Sequence, residues 1–341
     1  MNQPINHQWC LAARPQGMVK ESDFSYVKAE LPSINDGQVL VRLTHVAFEP
    51  AMRGWINEGD TYIKAVEIGE VMRAAGVGEV VEAKHADFEQ GDMVQGMFGW
   101  QEYAAVDVEG ALLPVQKLAA GVTPEMALSV LGITGLTAYF GMLDVGKPVE
   151  GDTVVVSGAA GATGSIAGQI AKIKGAAQVI GIAGGPDKCK WLVEEAGFDA
   201  AIDYKSEKVG RRLHELAPKG INVFFDNVGG ETLDAALANL ANNARIAICG
   251  GISSYNDATG TPSGPNNYMM LVLKTSTMQG FLLPQFSKRF AEAAQQLGEW
   301  VATDKLKFAV DVQEGFENTP NTFLRLFEGK NLGKQLLKVA N

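Results

Sequence analysis

The sequence is short of cysteine and histidine, has no concentration of positive charge and has no long apolar run, and each shortage removes a class of function. Cys10, Cys189 and Cys249 are the three cysteines, too few and too far apart for a disulfide framework. They read as reduced thiols. The four histidines, His7, His45, His85 and His214, form no HExxH pattern and no close pair with cysteine, so no metal site is expected. The formal charge is −10 and no segment is rich in Lys or Arg, which argues against a nucleic-acid partner. Aromatic content of 8% gives no sign of a base-stacking platform. The opening MNQPINHQWCLAARPQG lacks the basic start and apolar stretch of a secretory signal, and no later run reaches about 18 apolar residues. A soluble, cytoplasmic chain without a membrane partner is the expectation.

What is present suits a globular protein of more than one domain: 341 residues, 46% hydrophobic and 20% charged. From about residue 37 to 120, turn residues separate the short runs GQVLVRLTHVAF, GVGEVVEA and GDMVQGMFGWQEYAAVD. That spacing predicts a β-rich, barrel-like or sandwich-like domain. Beyond residue 124 the rhythm changes to strand, helix, strand. TVVVS at 153–157 is a β-branched run, and after a glycine-rich turn Ile166, Ile170 and Ile173 recur at helical spacing. Further strands are expected at 179–183, 200–203, 223–226, 245–249 and 277–281, with a helix over 186–196 closed by Gly197. The fold class is therefore α/β, with a doubly wound parallel sheet. After about Lys305 the pattern reads strand, turn, helix and returns to the first domain.

The turn SGAAGATGS places Gly158, Gly161 and Gly164 directly after a strand and before a helix. Glycines there let backbone approach a pyrophosphate, and the helix amides favour its charge. Such a triplet also closes ordinary turns, so position in a strand–turn–helix unit is what makes it a dinucleotide signal. At the end of the next strand an NAD site carries an acid for the ribose diol. Here the residues are Ala183, Gly184, Gly185, Pro186, Asp187 and Lys188. The glycines leave room for a 2′-phosphate and Lys188 offers it a positive charge, which favours NADP(H). The alternative is a solvated helix lysine beside Asp187.

Segments spread along the chain carry a resemblance: PAMRGW (50–55), GITGLTAYFGM (132–142), SGAAGATGS, FDNVGGE (225–231), RIAICGGISSYN (245–256), EGFEN (314–318) and KNLGK (330–334). In these the chain resembles the zinc-independent medium-chain dehydrogenases/reductases that include prostaglandin/leukotriene reductase, plant alkenal double-bond reductase and bacterial curcumin-type reductase. The resemblance implies a GroES-like catalytic domain from residues 1–125 completed by 305–341, and a Rossmann NADP-binding domain at 126–304. It implies reduction, by NADPH, of the carbon–carbon double bond of α,β-unsaturated aldehydes or ketones, in a homodimer. It places Gly161, Ala162, Thr163, Gly164, Lys188, Tyr204, Asn227, Cys249, Gly250, Ser254, Tyr255, Phe281, Leu282, Leu283 and Asn331 at the cofactor, with Lys188 and Tyr204 at the 2′-phosphate. Tyr255 matches the tyrosine that hydrogen-bonds the substrate carbonyl, chemistry suited to a phenol because hydride addition drives negative charge onto that oxygen. A packing tyrosine in a cofactor loop is the other reading.

The sequence departs from the pattern where relatives carry DPYMR and this chain has Glu49, Pro50, Ala51, Met52 and Arg53. Ala51 opens space beside the substrate, Tyr62 is a candidate to fill it, and Arg53 either shapes the pocket or is structural. The alternatives to enone reduction are an NADPH-dependent quinone reductase and a non-catalytic NADPH-binding protein. A zinc alcohol dehydrogenase requires a Cys/His ligand set, and a short-chain reductase opens with its Rossmann motif, whereas here that motif sits mid-chain.

Overall fold

The structure, a computed structural model, describes residues 5–59, 61–109, 114–258 and 264–339. It divides into a first unit, formed by the chain up to Leu128 together with Val310 onward, and a second, Ser129–Ala309.

The first unit is built on strands. β1 (Ile5–Leu11) and β2 (Phe24–Glu30) form a two-stranded antiparallel ribbon. A larger mixed sheet holds β3 (Gln38–Ala47), β4 (Ala75–Ala83), β5 (Met93–Met97), β6 (Tyr103–Asp107), β7 (Gln116–Lys117), β14 (Val310–Glu314) and β15 (Lys334–Lys338). Its order is β14-β15-β3-β4-β5-β7, with β6 also on β3. The runs read as strands in the sequence are β3 to β6; β5 alternates between the two faces, whereas β3 and β4 each bury three consecutive residues. Two register shifts in the β3–β4 ladder bend it, between Leu40 and Val41 and between Leu43 and His45. The core centres on Trp100, whose ring lies 5.0 Å from Phe24 and 5.6 Å from both Phe48 and Phe323. Phe323 comes from the helix Thr319–Phe327, so the C-terminal segment is part of this core.

The second unit holds β8 (Thr153–Ser157), β9 (Gln178–Ala183), β10 (Ala200–Asp203), β11 (Ile221–Asp226), β12 (Leu240–Ile248) and β13 (Thr277–Gly280). All pair in parallel, in the order β10-β9-β8-β11-β12-β13. This is the Rossmann order, with the reversal between β8 and β11. The continuous β-branched runs suit strands buried on both faces: Val154, Val155 and Val156 are all at 0% exposure. β12 begins five residues before the expected 245, passing through Asn243 in the left-handed region at φ 59°. Its backbone was masked in the sequence by two consecutive asparagines, which read as a turn.

Between the strands, the helices that matter for the site are α1 (Ala162–Ile173), following β8, and α2 (Pro186–Glu194), following β9. α1 buries Ile166, Ala167, Ile170 and Ala171. Beyond α2 the chain reverses at Gly197, φ 69°, so that Phe198 N–H reaches Leu192 O at 2.9 Å.

Candidate active site

The carboxyl ends of β8, β9, β11 and β12 gather the larger part of the expected cofactor residues in the second unit. β8 ends at Ser157, and Gly158 turns the chain at φ 57°. Gly161 caps α1 in extended geometry, its N–H on Gly158 O at 3.0 Å. A Cβ on Gly164 would stand 2.4 Å from Gly158 O and 2.9 Å from Ala159 Cα, so no side chain fits where turn and helix meet. Ala162, Thr163 and Gly164 form the first turn of α1, where amides have no acceptor within the helix and an anion is favoured.

At the reversal between β8 and β11 the Asp226 carboxylate is fully buried. It accepts hydrogen bonds from Ser157 Oγ at 2.7 Å and from the amides of Val228 and Gly229 at 3.0 and 3.1 Å. Burial pushes its carboxyl above the ordinary range, opposed by the Ser157 hydroxyl and those amides. Asn227 is held against β8, its Nδ2 donating to Ser157 O at 2.7 Å. The Asp226 carbonyl accepts the amides of Cys249 and Gly250 at 2.8 and 3.1 Å, while Ile252 N–H reaches Asn227 O at 3.2 Å. The segment 249–255 is thereby fastened to the end of β11, with the Ser254 hydroxyl donating to Gly251 O at 2.9 Å. Tyr255 follows a short 3₁₀ turn, Ile252–Ser254, and its hydroxyl oxygen accepts Gly251 N–H at 3.1 Å. That bond polarises the phenol, which strengthens it as a donor.

At the end of β9, Gly185 adopts φ 97°, open to glycine alone, and precedes α2. Lys188 lies in the first turn of α2, half-buried. A Cβ on Gly184 would meet Tyr204 Oη at 2.9 Å and Lys205 Cε at 3.0 Å, so both side chains fold back over this glycine. Asp203 ends β10 with Oδ1 accepting Gly185 N–H at 2.8 Å and Lys205 N–H at 3.0 Å, and Oδ2 accepting Ser206 Oγ at 2.9 Å. The Gly185 amide, opposed by desolvation and joined by the Lys205 amide, the Ser206 hydroxyl and the Lys205 charge, holds this carboxyl below its ordinary value.

Phe281 is buried one residue beyond β13, its ring 6.3 Å from that of Phe225. A Cβ on Gly141 would stand 2.3 Å from its Cζ, which makes Phe281 a packing residue of this unit. Leu282 is exposed, and Leu283 opens the 3₁₀ segment Leu283–Arg289.

Four expected site residues belong to the first unit. Arg53, 3% exposed, donates to Gly17 O at 3.0 Å and Pro15 O at 3.4 Å and bonds Asn57. Its charge fastens an N-terminal loop to the helix Met52–Trp55, a structural task. Tyr62, half-exposed, accepts Trp55 Nε1–H at 2.7 Å, and Ala51 packs partly against the core. Asn331 is buried with Nδ2 donating to Gly333 O at 2.8 Å. Close by in sequence, the buried Lys334 ammonium donates to Phe48 O at 3.1 Å and pairs with Glu49, tying β15 to the segment that carries Ala51. Sequence reading missed the Ser157–Asp226 pair, Asp203, Lys205 and Lys334. Only the strand-end position of the first three signalled them.

Among the described residues no three His, Cys, Asp or Glu side chains gather as metal ligands. Two family models match: "N-terminal domain of oxidoreductase" over residues 7–113 and "Zinc-binding dehydrogenase" over residues 162–299. The chain is 45% identical to a putative NADP-dependent oxidoreductase, YfmJ, of Bacillus subtilis, over 97% of each chain. It is 39% identical to the NADPH-dependent curcumin reductase of Escherichia coli, over 98% of this chain and 97% of that one. Prostaglandin reductase 1 of Bos taurus is 37% identical over 97% and 98%. Among solved structures, CurA of Vibrio vulnificus in complex with NADPH superposes with a TM-score of 0.92 at 38% identity, covering 98% of this chain and 99% of that one. The chain belongs to the medium-chain dehydrogenase/reductase family, with a GroES-like unit and a Rossmann unit, in the group that holds the curcumin and prostaglandin reductases.

Proposed function

We propose that this chain reduces the carbon–carbon double bond of α,β-unsaturated aldehydes or ketones with NADPH, working in the cytoplasm as a homodimer. Relatives named NADPH-dependent curcumin reductase and prostaglandin reductase 1, similar over nearly the whole chain, support the activity, and the NADPH complex of the CurA structure supports the cofactor. No helix among the described residues is long and apolar enough to cross a membrane.

The residues fit the cofactor. A side chain on Gly164 would fill the cradle at the start of α1, where first-turn amides meet a pyrophosphate. At β9, Gly184 lies under Tyr204 where an NAD site presents an acid, and Asp203 spends its oxygens on Gly185, Lys205 and Ser206. Lys188 and Tyr204 would hold the 2′-phosphate; Asn227, Cys249, Gly250 and Ser254 would line the middle of the groove, with Leu282 and Leu283 beyond them. Domain bounds of 1–125 with 305–341 for catalysis, and 126–304 for the nucleotide, go with this reading.

The cofactor, when bound, supplies a hydride to the electron-poor β-carbon. Tyr255 does the chain's part: its phenol donates to the carbonyl oxygen as negative charge gathers there, and the α-carbon is protonated by that phenol or by solvent. The observation that carries this is the Tyr255 hydroxyl, polarised by Gly251 N–H on a loop bonded to the strand ends.

The homodimer reading rests on β13. It is the last strand of its sheet and exposes its length, and beside it Tyr268, Met269, Val272 and Leu273 are 57, 51, 65 and 70% exposed. A second copy pairing there would continue the sheet and cover them.

The test of the activity is product identity: an enal or enone incubated with NADPH is expected to give the saturated carbonyl compound faster than with NADH. An allylic alcohol, or turnover of quinones alone, contradicts it.

A further inference from the structure

Resting on the nucleotide reading above, we propose that Lys205 is a second cationic contact for the 2′-phosphate and a determinant of the preference for NADPH over NADH. The position comes from how the ends of β9 and β10 are joined. Tyr204 N–H donates to Ala183 O at 3.1 Å, and Asp203 Oδ1 bridges the amides of Gly185 and Lys205. This locks the turn after β10 against the turn after β9, so that Tyr204 and Lys205 lean together over Gly184. The point where a Gly184 Cβ would sit is 2.9 Å from Tyr204 Oη and 3.0 Å from Lys205 Cε. In a Rossmann unit the residue at the end of the second strand faces the adenine ribose. Lys205 therefore stands at the ribose position, beside Tyr204.

The local charges make this lysine useful. Asp203 stays ionised, held below its ordinary range by its amide donors, and lies one residue away. A 2′-phosphate brought to Gly184 meets that negative charge, and a cation between them is needed to offset it. Several basic groups of the flanking elements are paired: Lys172 to Asp199 at 2.9 Å, Lys190 to Glu194 at 3.8 Å, Arg211 to Glu215 at 2.8 Å and Arg212 to Glu207 at 2.6 Å. Among the described residues Lys205 makes no salt bridge; its charge helps hold the Asp203 carboxyl low, and its side chain is exposed where a phosphate can meet it. A ribose with a free 2′-hydroxyl offers nothing for it to neutralise, so the contact discriminates between the two cofactors.

The experiment is calorimetric titration of the nucleotide-free protein with adenosine 2′,5′-bisphosphate and with adenosine 5′-monophosphate. Lys205→Ala and Lys205→Met are expected to lose roughly tenfold in affinity for the bisphosphate, as for one partly solvated charge-assisted bond, with no change for the monophosphate. Lys205→Arg retains most of the affinity. Bisphosphate binding unchanged in Lys205→Met, or an equal loss for both ligands, overturns the assignment of Lys205 while the parent's discrimination keeps the cofactor reading intact. A parent that binds both ligands alike overturns the cofactor reading and this inference with it.

Discussion

Two tyrosines at strand ends do different work. Tyr204 lies over Gly184 at the end of β9, whereas Tyr255 has its hydroxyl on the Gly251 amide. If Tyr255 stabilises the enolate oxygen, Tyr255→Phe lowers turnover of an enone by about 10²-fold, the size of one lost donor, while NADPH affinity measured by fluorescence titration is unchanged. An unaltered turnover assigns it to packing. Arg53 shows the opposite resolution of an ambiguous residue. The sequence leaves it between pocket and scaffold, and the structure buries it on Gly17 O and Pro15 O. Nothing in MRGW announces that, because the acceptors are backbone atoms of a loop some 36 residues earlier.

Among the elements, the βα units were legible and the ribbon and edge strands less so. TVVVS, a glycine turn and isoleucines at helical spacing are strong local signals, and β8 and α1 follow them. β1 and β2 form a two-stranded ribbon in which Asn6, His7, Gln8, Ser25, Lys28 and Glu30 interrupt the apolar residues, so no clean hydrophobic pattern marks them. The link between β9 and β10 was invisible because Asp203 reads as an ordinary strand-end acid until the amides of Gly185 and Lys205 are seen donating to it. That link has a pH signature. A carboxyl depressed in the folded state contributes stability above its unfolded value, about 4, and that contribution is lost as pH falls through the folded value. Asp203→Asn is therefore expected to melt a few degrees below the parent at neutral pH, with the gap closing in acid. Melting temperatures of both proteins across pH 3–7 check it, and a gap independent of pH would assign the loss to shape alone.

At the scale of the molecule, the C-terminal segment was placed with the first domain by resemblance, and Phe323, Leu337 and Lys334 give the physical reason: they bury in the core and against β3 of that unit. The exposed edge at β13 belongs to this scale too. Leu273→Asp with Val272→Asp is expected to turn a dimer into a monomer in light scattering while leaving the far-ultraviolet circular dichroism as it was, and a parent of monomeric mass would contradict the pairing. The account as a whole depends on where the hydride goes. NADPH deuterated at the transferred position, turned over with a conjugated enone, is expected to give a saturated ketone labelled at the β-carbon in its proton and carbon NMR spectra. Label at the carbonyl carbon of an alcohol, or no label transferred at all, would contradict it.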